Sequence, residues 1–232
     1  MANLVLLHGL GANGRVWDTW PQTKDAPDLP GHGSAAPLPS YTFAAMAAAV
    51  AAELEVRRDL VVLGHSLGGV IALELASGRY DVTVSRVVAL GVKVSWTADD
   101  LGRANALAQK PSAWFGTRDE AAARFLKVSG LEGLVDPADA VVDHGLLEQD
   151  NRWRLAMDPG TFGVGAPDMP ALIAASQADV LLARGERDPM NSDAELRAVH
   201  DQVVTLPGLG HNAQVEDPAT VAALLRSAPA GR

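Results

Sequence analysis

The feature that most restricts how this chain can fold is an alternation of short apolar runs with helical stretches. The runs Leu4–Leu7, Leu60–Leu63, Val84–Leu90, Val180–Ala183 and Val203–Leu206 each end in glycine or a turn. They are apolar at successive positions rather than at every second one, so they read as strands buried on both faces, the habit of parallel strands. Between them lie alanine-rich Phe43–Glu55, then Leu67–Ala76, Asp193–His200 and Thr220–Ser227, which carry helix-like apolar spacing. Strand and helix in repeated succession imply an α/β protein with a mostly parallel, doubly wound sheet. Asp25–Gly33 is dense in proline, glycine and aspartate and reads as a loop, with one very short strand before it.

The alternation breaks from about Ser95 to Ala175. Thr97 with Asp100 and Thr117 with Glu120 have the spacing of capping boxes. The expected helices are Thr97–Gln109, Thr117–Val128 and Pro137–Gln149, followed by the glycine- and proline-rich stretch Asp158–Pro170. A segment with no expected strand, lying between two strands, reads as a helical lid carried on the sheet. The expected division is a core of residues 1–94 and 176–232 with a lid of residues 95–175. No internal repeat or low-complexity linker interrupts it, and 232 residues suit one domain of this kind.

Charge and composition remove several classes of function. A net charge of −9 gives nucleic acid and anionic membranes nothing to be attracted to. No apolar run approaches the roughly 18 residues of a membrane span. The run Leu4–Leu7 is too short for a signal peptide and has no basic residue before it, so a cytoplasmic protein is expected. There are no cysteines, which removes thiolate chemistry and disulfides. Histidines and carboxylates show no metal-ligand spacing, so neither metal nor other cofactor is expected. A small-molecule substrate is the expected partner, and the sequence carries no sign of oligomeric state.

Gly64-His65-Ser66-Leu67-Gly68 fits G-x-S-x-G. The pattern alone is weak, but here an apolar run leads in and a helix leads out. A serine on such a strand-to-helix turn is held with its hydroxyl above the sheet, and flanking glycines avoid collision with neighbouring backbone. The helix N-terminus behind Ser66 favours negative charge developing nearby. The plainer alternative is a glycine-rich turn whose serine only caps the helix.

With these residues in hand, the chain resembles the α/β-hydrolase superfamily. His8-Gly9-Leu10-Gly11 resembles its oxyanion loop, Asp28-Leu29-Pro30-Gly31-His32-Gly33-Ser34 its D-x-P-G-x-G-x-S loop, and Gly64–Gly69 its nucleophile elbow. Arg184-Gly185-Glu186-Arg187-Asp188-Pro189 is similar to the turn that carries the acid, and Gly208-Leu209-Gly210-His211 to the turn that carries the base. The His-Gly loop begins at residue 8, leaving no room for the family's N-terminal hairpin. The resemblance therefore implies a sheet of six or seven strands.

A serine hydroxyl needs a base within hydrogen-bond reach. His211 follows the strand Val203–Leu206 on a glycine loop, and the chain order Ser66, Asp188, His211 is the one the family implies. Asp188 would hold the imidazole and stabilise its cation. Glu186 and Asp179 are close enough in sequence to compete, and an Asp-Pro turn would by itself want aspartate at 188. The oxyanion needs two backbone donors, expected at Leu67 and Leu10. His8 and His32 are expected to brace loops, His65 to pack or bond locally, and His144 and His200 to be surface helix residues.

The expected reaction is hydrolysis of a small or medium-sized apolar ester or lactone through an acyl-enzyme. Alternatives on the same fold are a cofactor-free perhydrolase, a carbon–carbon bond hydrolase, or a small-molecule receptor. In the lid, Trp96, Trp114 and Phe115 are candidate substrate contacts, although aromatics in such a segment commonly pack on each other. Lys93, at the carboxyl end of Val84–Leu90, is a candidate for attracting an anionic group of the substrate. Its plainer reading is a hinge residue whose stem packs while its ammonium reaches water.

Overall fold

The computed structural model describes residues 3–22, 24–55 and 57–226. Apolar runs and strands coincide. β1 is Asn3–Leu7, followed by a single helical turn at Gly14–Trp17 and helix α1, Phe43–Glu53. Then come β2 (Leu60–His65), α2 (Leu67–Leu75) and β3 (Val84–Leu90). The long connection that follows holds α3 (Ala98–Ala108), α4 (Arg118–Ser129), α5 (Ala140–His144), β4 (Leu146–Gln149), β5 (Arg152–Leu155), a turn at Pro159–Val164 and α6 (Met169–Ala175). The chain returns to the sheet at β6 (Asp179–Gly185) and continues through α7 (Asp193–Val199), β7 (Val203–Leu206), α8 (Ala213–Glu216) and α9 (Pro218–Ala223). Ser227, placed in the last helix by the sequence pattern, lies outside the described residues.

The main sheet has five strands, all parallel, in the order β1-β2-β3-β6-β7. The expected six or seven strands are thus corrected to five. The short strand foreseen near Asp25 is a single bridge to Val5, made by Asp25 N–H to Leu4 O and Leu6 N–H to Asp25 O, both 2.8 Å. One such residue extends the edge without forming a strand.

Alternate strand residues feed two buried clusters on opposite faces. Val5, Leu7, Val62 and Leu182 pack with α1 and α2, where Met46 and Ile71 are wholly buried. Leu4, Leu6, Leu63 and Leu181 share the other cluster with Trp17, Val221 of α9, Phe125 of α4 and Val142 of α5. Half of the segment expected to be a lid is thus bound into the core, whereas α3 buries no residue. Both capping boxes form reciprocally, at Thr97 with Asp100 and Thr117 with Glu120. The helix expected over Pro137–Gln149 is corrected. It stops at His144, and the chain enters an antiparallel hairpin of β4 and β5 that turns at Asp150-Asn151 with φ of 51° and 56°. Two consecutive residues at positive φ are what a tight type I′ hairpin turn requires.

Candidate active site

Ser66 stands where β2 passes into α2, with φ 50° and ψ −114°. That conformation costs a non-glycine residue on the order of 1–3 kcal/mol and persists only where surroundings enforce it. Here Ser66 N–H donates to Leu90 O at 2.7 Å, and Ser66 O accepts from Gly69 and Val70 N–H. A Cβ at 64 would lie 2.1 Å from Gly68 O, and one at 68 would lie 2.4 Å from Leu7 O. Only glycine lets the turn close so tightly.

Asp188 and His211 meet in the loops after β6 and β7. Asp188 is buried, and its Oδ2 accepts from His211 Nδ1 at 3.0 Å while its Oδ1 accepts from Met190 N–H at 2.9 Å. With its hydrogen on Nδ1, the His211 ring keeps Nε2 as the nitrogen able to take a proton. Arg184 braces the acid loop by donating to Glu186 O at 3.0 Å and Asp188 O at 2.9 Å. Asn191 ties that loop to the end of β3, donating to Val92 O at 2.6 Å and accepting from Val94 N–H at 2.9 Å. The competing carboxylates are engaged elsewhere. Glu186 accepts from Gly208 N–H at 2.8 Å, and Asp179 pairs with Arg86 at 2.9 Å.

No hydrogen bond joins Ser66 to His211 among the described residues; the two are linked through the end of β3. Leu90 O holds the Ser66 amide, and a Cβ on the next residue, Gly91, would lie 3.3 Å from both the Asp188 carboxylate and the His211 ring. Gly91, Arg184 and Asn191 were not among the expected site residues, because nothing in a lone glycine, arginine or asparagine marks a support for a distant pair.

The expected oxyanion donors are Leu10 and Leu67. Leu67 is the first residue of α2, where an N–H has no acceptor within the helix. Leu10 N–H has no partner among the described residues, and its loop is held by buried histidines. His8 Nδ1–H donates to Gly9 O and its Nε2 accepts from Leu29 N–H, both 2.8 Å. His32 Nε2 accepts from Gly11 N–H and its Nδ1–H donates to Pro30 O, both 3.2 Å. In a trans peptide C=O and N–H point opposite ways, so anchoring Gly9 O also aims Leu10 N–H. Burial pushes the His8 ring down to about 4; burial and the neighbouring His8 push His32 down to about 3. Both rings are neutral at pH 7. His65, the third buried ring, donates to His211 O at 3.0 Å, and burial with the nearby His211 holds it well below the usual histidine range.

Asp28 anchors the loop it begins. Its Oδ1 accepts from Gly14 N–H at 2.7 Å, and its Oδ2 from Ser34 N–H and Oγ–H at 2.8 Å and from His144 Nε2 at 2.7 Å. Burial raises this carboxyl, but the four bonds outweigh it and bring it to about 2. His144, expected to be a surface helix residue, is instead a half-buried tie between the long connection and the core. His200 donates to Val180 O at 2.9 Å.

The expected substrate contacts are placed differently from one another. Lys93 lies 5.0 Å above the Trp96 ring, but its ammonium is paired with Asp100 at 2.8 Å, and Trp96 Nε1 donates to Lys93 O at 3.1 Å. This lysine closes on the start of α3, with no free charge to offer. Trp114 lies under Arg152 and Arg154, at 5.8 and 5.6 Å. Phe115 pairs through its backbone with Trp153 and lines an apolar cavity of about 110 Å³.

The chain belongs to the α/β hydrolase family, whose sequence profile matches residues 4–224. It is 33% identical to the lipase LipV of Mycobacterium tuberculosis over 168 residues, 67% of this chain and 63% of the lipase. It is 44% identical to a pimeloyl-[acyl-carrier protein] methyl ester esterase of Neisseria meningitidis over 84 residues, 33% of this chain and 26% of that enzyme. These matches span less than two thirds of the length of either relative. In fold it is similar to the thioesterase domain from the curacin biosynthetic pathway, with a TM-score of 0.76 at 18% identity, covering 97% of this chain and 91% of that one.

Proposed function

We propose that the protein is a serine hydrolase that cleaves a small or medium-sized apolar ester or lactone through an acyl-enzyme, with Ser66 as nucleophile, His211 as base and Asp188 as its orienting acid. The observation that carries this reading is the Asp188–His211 hydrogen bond at 3.0 Å, set beside a serine held at φ 50°. Its lipase and esterase relatives support an ester-cleaving role. Ser66 Oγ attacks the carbonyl carbon as its proton passes to His211 Nε2, and Leu10 and Leu67 N–H stabilise the oxyanion. Asp188 stabilises the imidazolium. Collapse of the intermediate breaks the ester bond, and the imidazolium gives its proton to the departing alkoxide. Water then attacks the acyl-enzyme with its proton going to His211, and the carboxylic acid leaves as Ser66 Oγ recovers the proton.

We further infer that residues 95–175 set the substrate. In that lid α3 buries no residue, while α4 and α5 pack into the core as its base. The test is labelling by a fluorophosphonate probe together with turnover of nitrophenyl esters. The native protein labels and turns over, and Ser66→Ala does neither. Full labelling of Ser66→Ala at another serine sinks the assignment.

A further inference from the structure

The strongest unassigned feature is the apolar cavity of about 110 Å³ beneath α3, α4 and β5. One of its wall residues, Val128, touches the loop that carries Leu10, and another, Met157, pairs with the neighbouring Asp28–Ser34 loop. The Val128 Cγ1 atom lies 2.6 Å from where a Cβ on Gly11 would be, so valine and glycine are in direct contact. Met157 pairs through its backbone with His32, whose ring receives the Gly11 N–H. The cavity therefore backs directly onto the candidate oxyanion loop. It is somewhat smaller than the roughly 150 Å³ void that accepts a benzene ring, which suits a chain of about four carbons.

Its rim is not apolar. Lys110 and Arg124 both line it and both are exposed. Five other cations of the same connection are engaged: Lys93 and Arg103 with Asp100, Arg118 with Asp143, and Arg152 and Arg154 over Trp114; exposed Lys127 is not, but it does not line the cavity. The side chains of Lys110 and Arg124 have no ion pair or hydrogen bond among the described residues. In a chain of net charge −9, two unengaged cations on the rim of one apolar cavity are a local reversal of sign. Such a rim favours an anionic ligand group and leaves the apolar interior for carbon.

We propose that this cavity is the acyl subsite of a substrate whose short apolar chain ends in a carboxylate, with Lys110 and Arg124 receiving that carboxylate. This rests on the hydrolase reading and deepens it: the substrate is the ester of a dicarboxylic half-acid, not of a plain fatty acid. The role considered for Lys93 passes to two cations that are free to perform it.

The experiment uses nitrophenyl acetate, nitrophenyl hexanoate and the nitrophenyl half-ester of hexanedioic acid on the full chain. The native protein should favour the half-ester in kcat/KM. Lys110→Ala with Arg124→Ala should raise KM for the half-ester by on the order of fivefold, the scale of exposed charge pairs, and leave the other two esters unchanged. High salt on the native protein should reproduce that selective loss. Leu107→Phe, which narrows the cavity, should lower kcat/KM on both six-carbon esters by about tenfold and spare acetate. Acetate turnover with no preference for the half-ester, or equal losses on hexanoate and half-ester from the charge variants, overturns this inference alone. A folded native protein that turns over none of the three overturns the hydrolase reading and this inference with it.

Discussion

Asp188 and His211 meet at 3.0 Å, Asp28 and His144 at 2.7 Å, and distance alone would rank the second pair first. Their surroundings reverse that ranking. On Asp188, the oxygen facing His211 is given to the imidazole, while the other accepts a backbone N–H. On Asp28, the oxygen that meets His144 also accepts both the N–H and the hydroxyl of Ser34, and the other oxygen holds Gly14. One carboxylate orients a ring whose second nitrogen stays available beside a strained serine. The other is saturated and ties three segments together. An aspartate–histidine contact becomes chemistry only when something around it is left to react; otherwise it is a rivet.

The largest expected effect breaks the comparison directly. His211→Ala should lower kcat on a small ester by about 10⁵-fold and Asp188→Asn by about 10⁴-fold. His144→Ala should change it by less than about twofold. A loss at His144 comparable to that at His211, measured in one ester assay, would overturn the assignment.

The next effect concerns the buried rings between the two pairs. Free histidine titrates near 6.5, but burial holds His8 near 4, His32 near 3 and His65 well below its usual range. The unfolded chain then binds protons that the fold refuses, so their stabilisation is full above about pH 6.5 and falls as the pH drops toward 4. His8 and His32 together should remove on the order of 5 kcal/mol by pH 4. Asp28 separates from them on the pH axis. Its folded value near 2 lies below the unfolded 3.8, so its contribution is full above 3.8 and is lost toward 2. Urea midpoints that stay level from pH 7 to 4 would show these rings to be protonated in the fold.

The smallest effect tests the rivet. Asp28→Asn turns an acceptor oxygen into an NH₂ group facing donors, and should cost about 3 kcal/mol of stability with little change in kcat. Asp188→Asn should do the opposite, sparing stability and removing turnover. Equal urea midpoints for the two variants would erase the distinction.

The parts legible in the sequence are those whose signal is local. Apolar runs gave the strands because a strand buried on both faces leaves its mark at every residue. Thr97 and Thr117 gave two helix starts because a capping box spans four residues. The expected helix Pro137–Gln149 ran through β4, whose apolar face is marked there by Leu146 alone, with Trp153 and Leu155 facing it from β5, although Asp150-Asn151 is a turn signal in plain view. The count of strands failed because the extra edge position is a single residue, Asp25, bound by backbone alone. The candidate site was legible where glycines and order in the chain marked it. The tie of His144 to Asp28, the support from Gly91 and the engagement of Lys93 by Asp100 were not, since each depends on which side chains the fold brings face to face.

The pairing of β3 with β6 has a consequence for how the molecule comes to be. It brings Val87 beside Val180, so these central strands cannot join until the whole intervening connection has been looped out. Closing a loop of that length carries an entropic cost of about 3 kcal/mol beyond that of a minimal turn, and long-range parallel pairing of this kind is slow. Once the loop is closed, its two ends emerge from adjacent strands, and further residues add to the cost only logarithmically. The step that delays folding is therefore also the place where the chain tolerates growth. New binding surface can be added between residues 91 and 178 with the sheet, the elbow and the Asp188–His211 pair left where they stand.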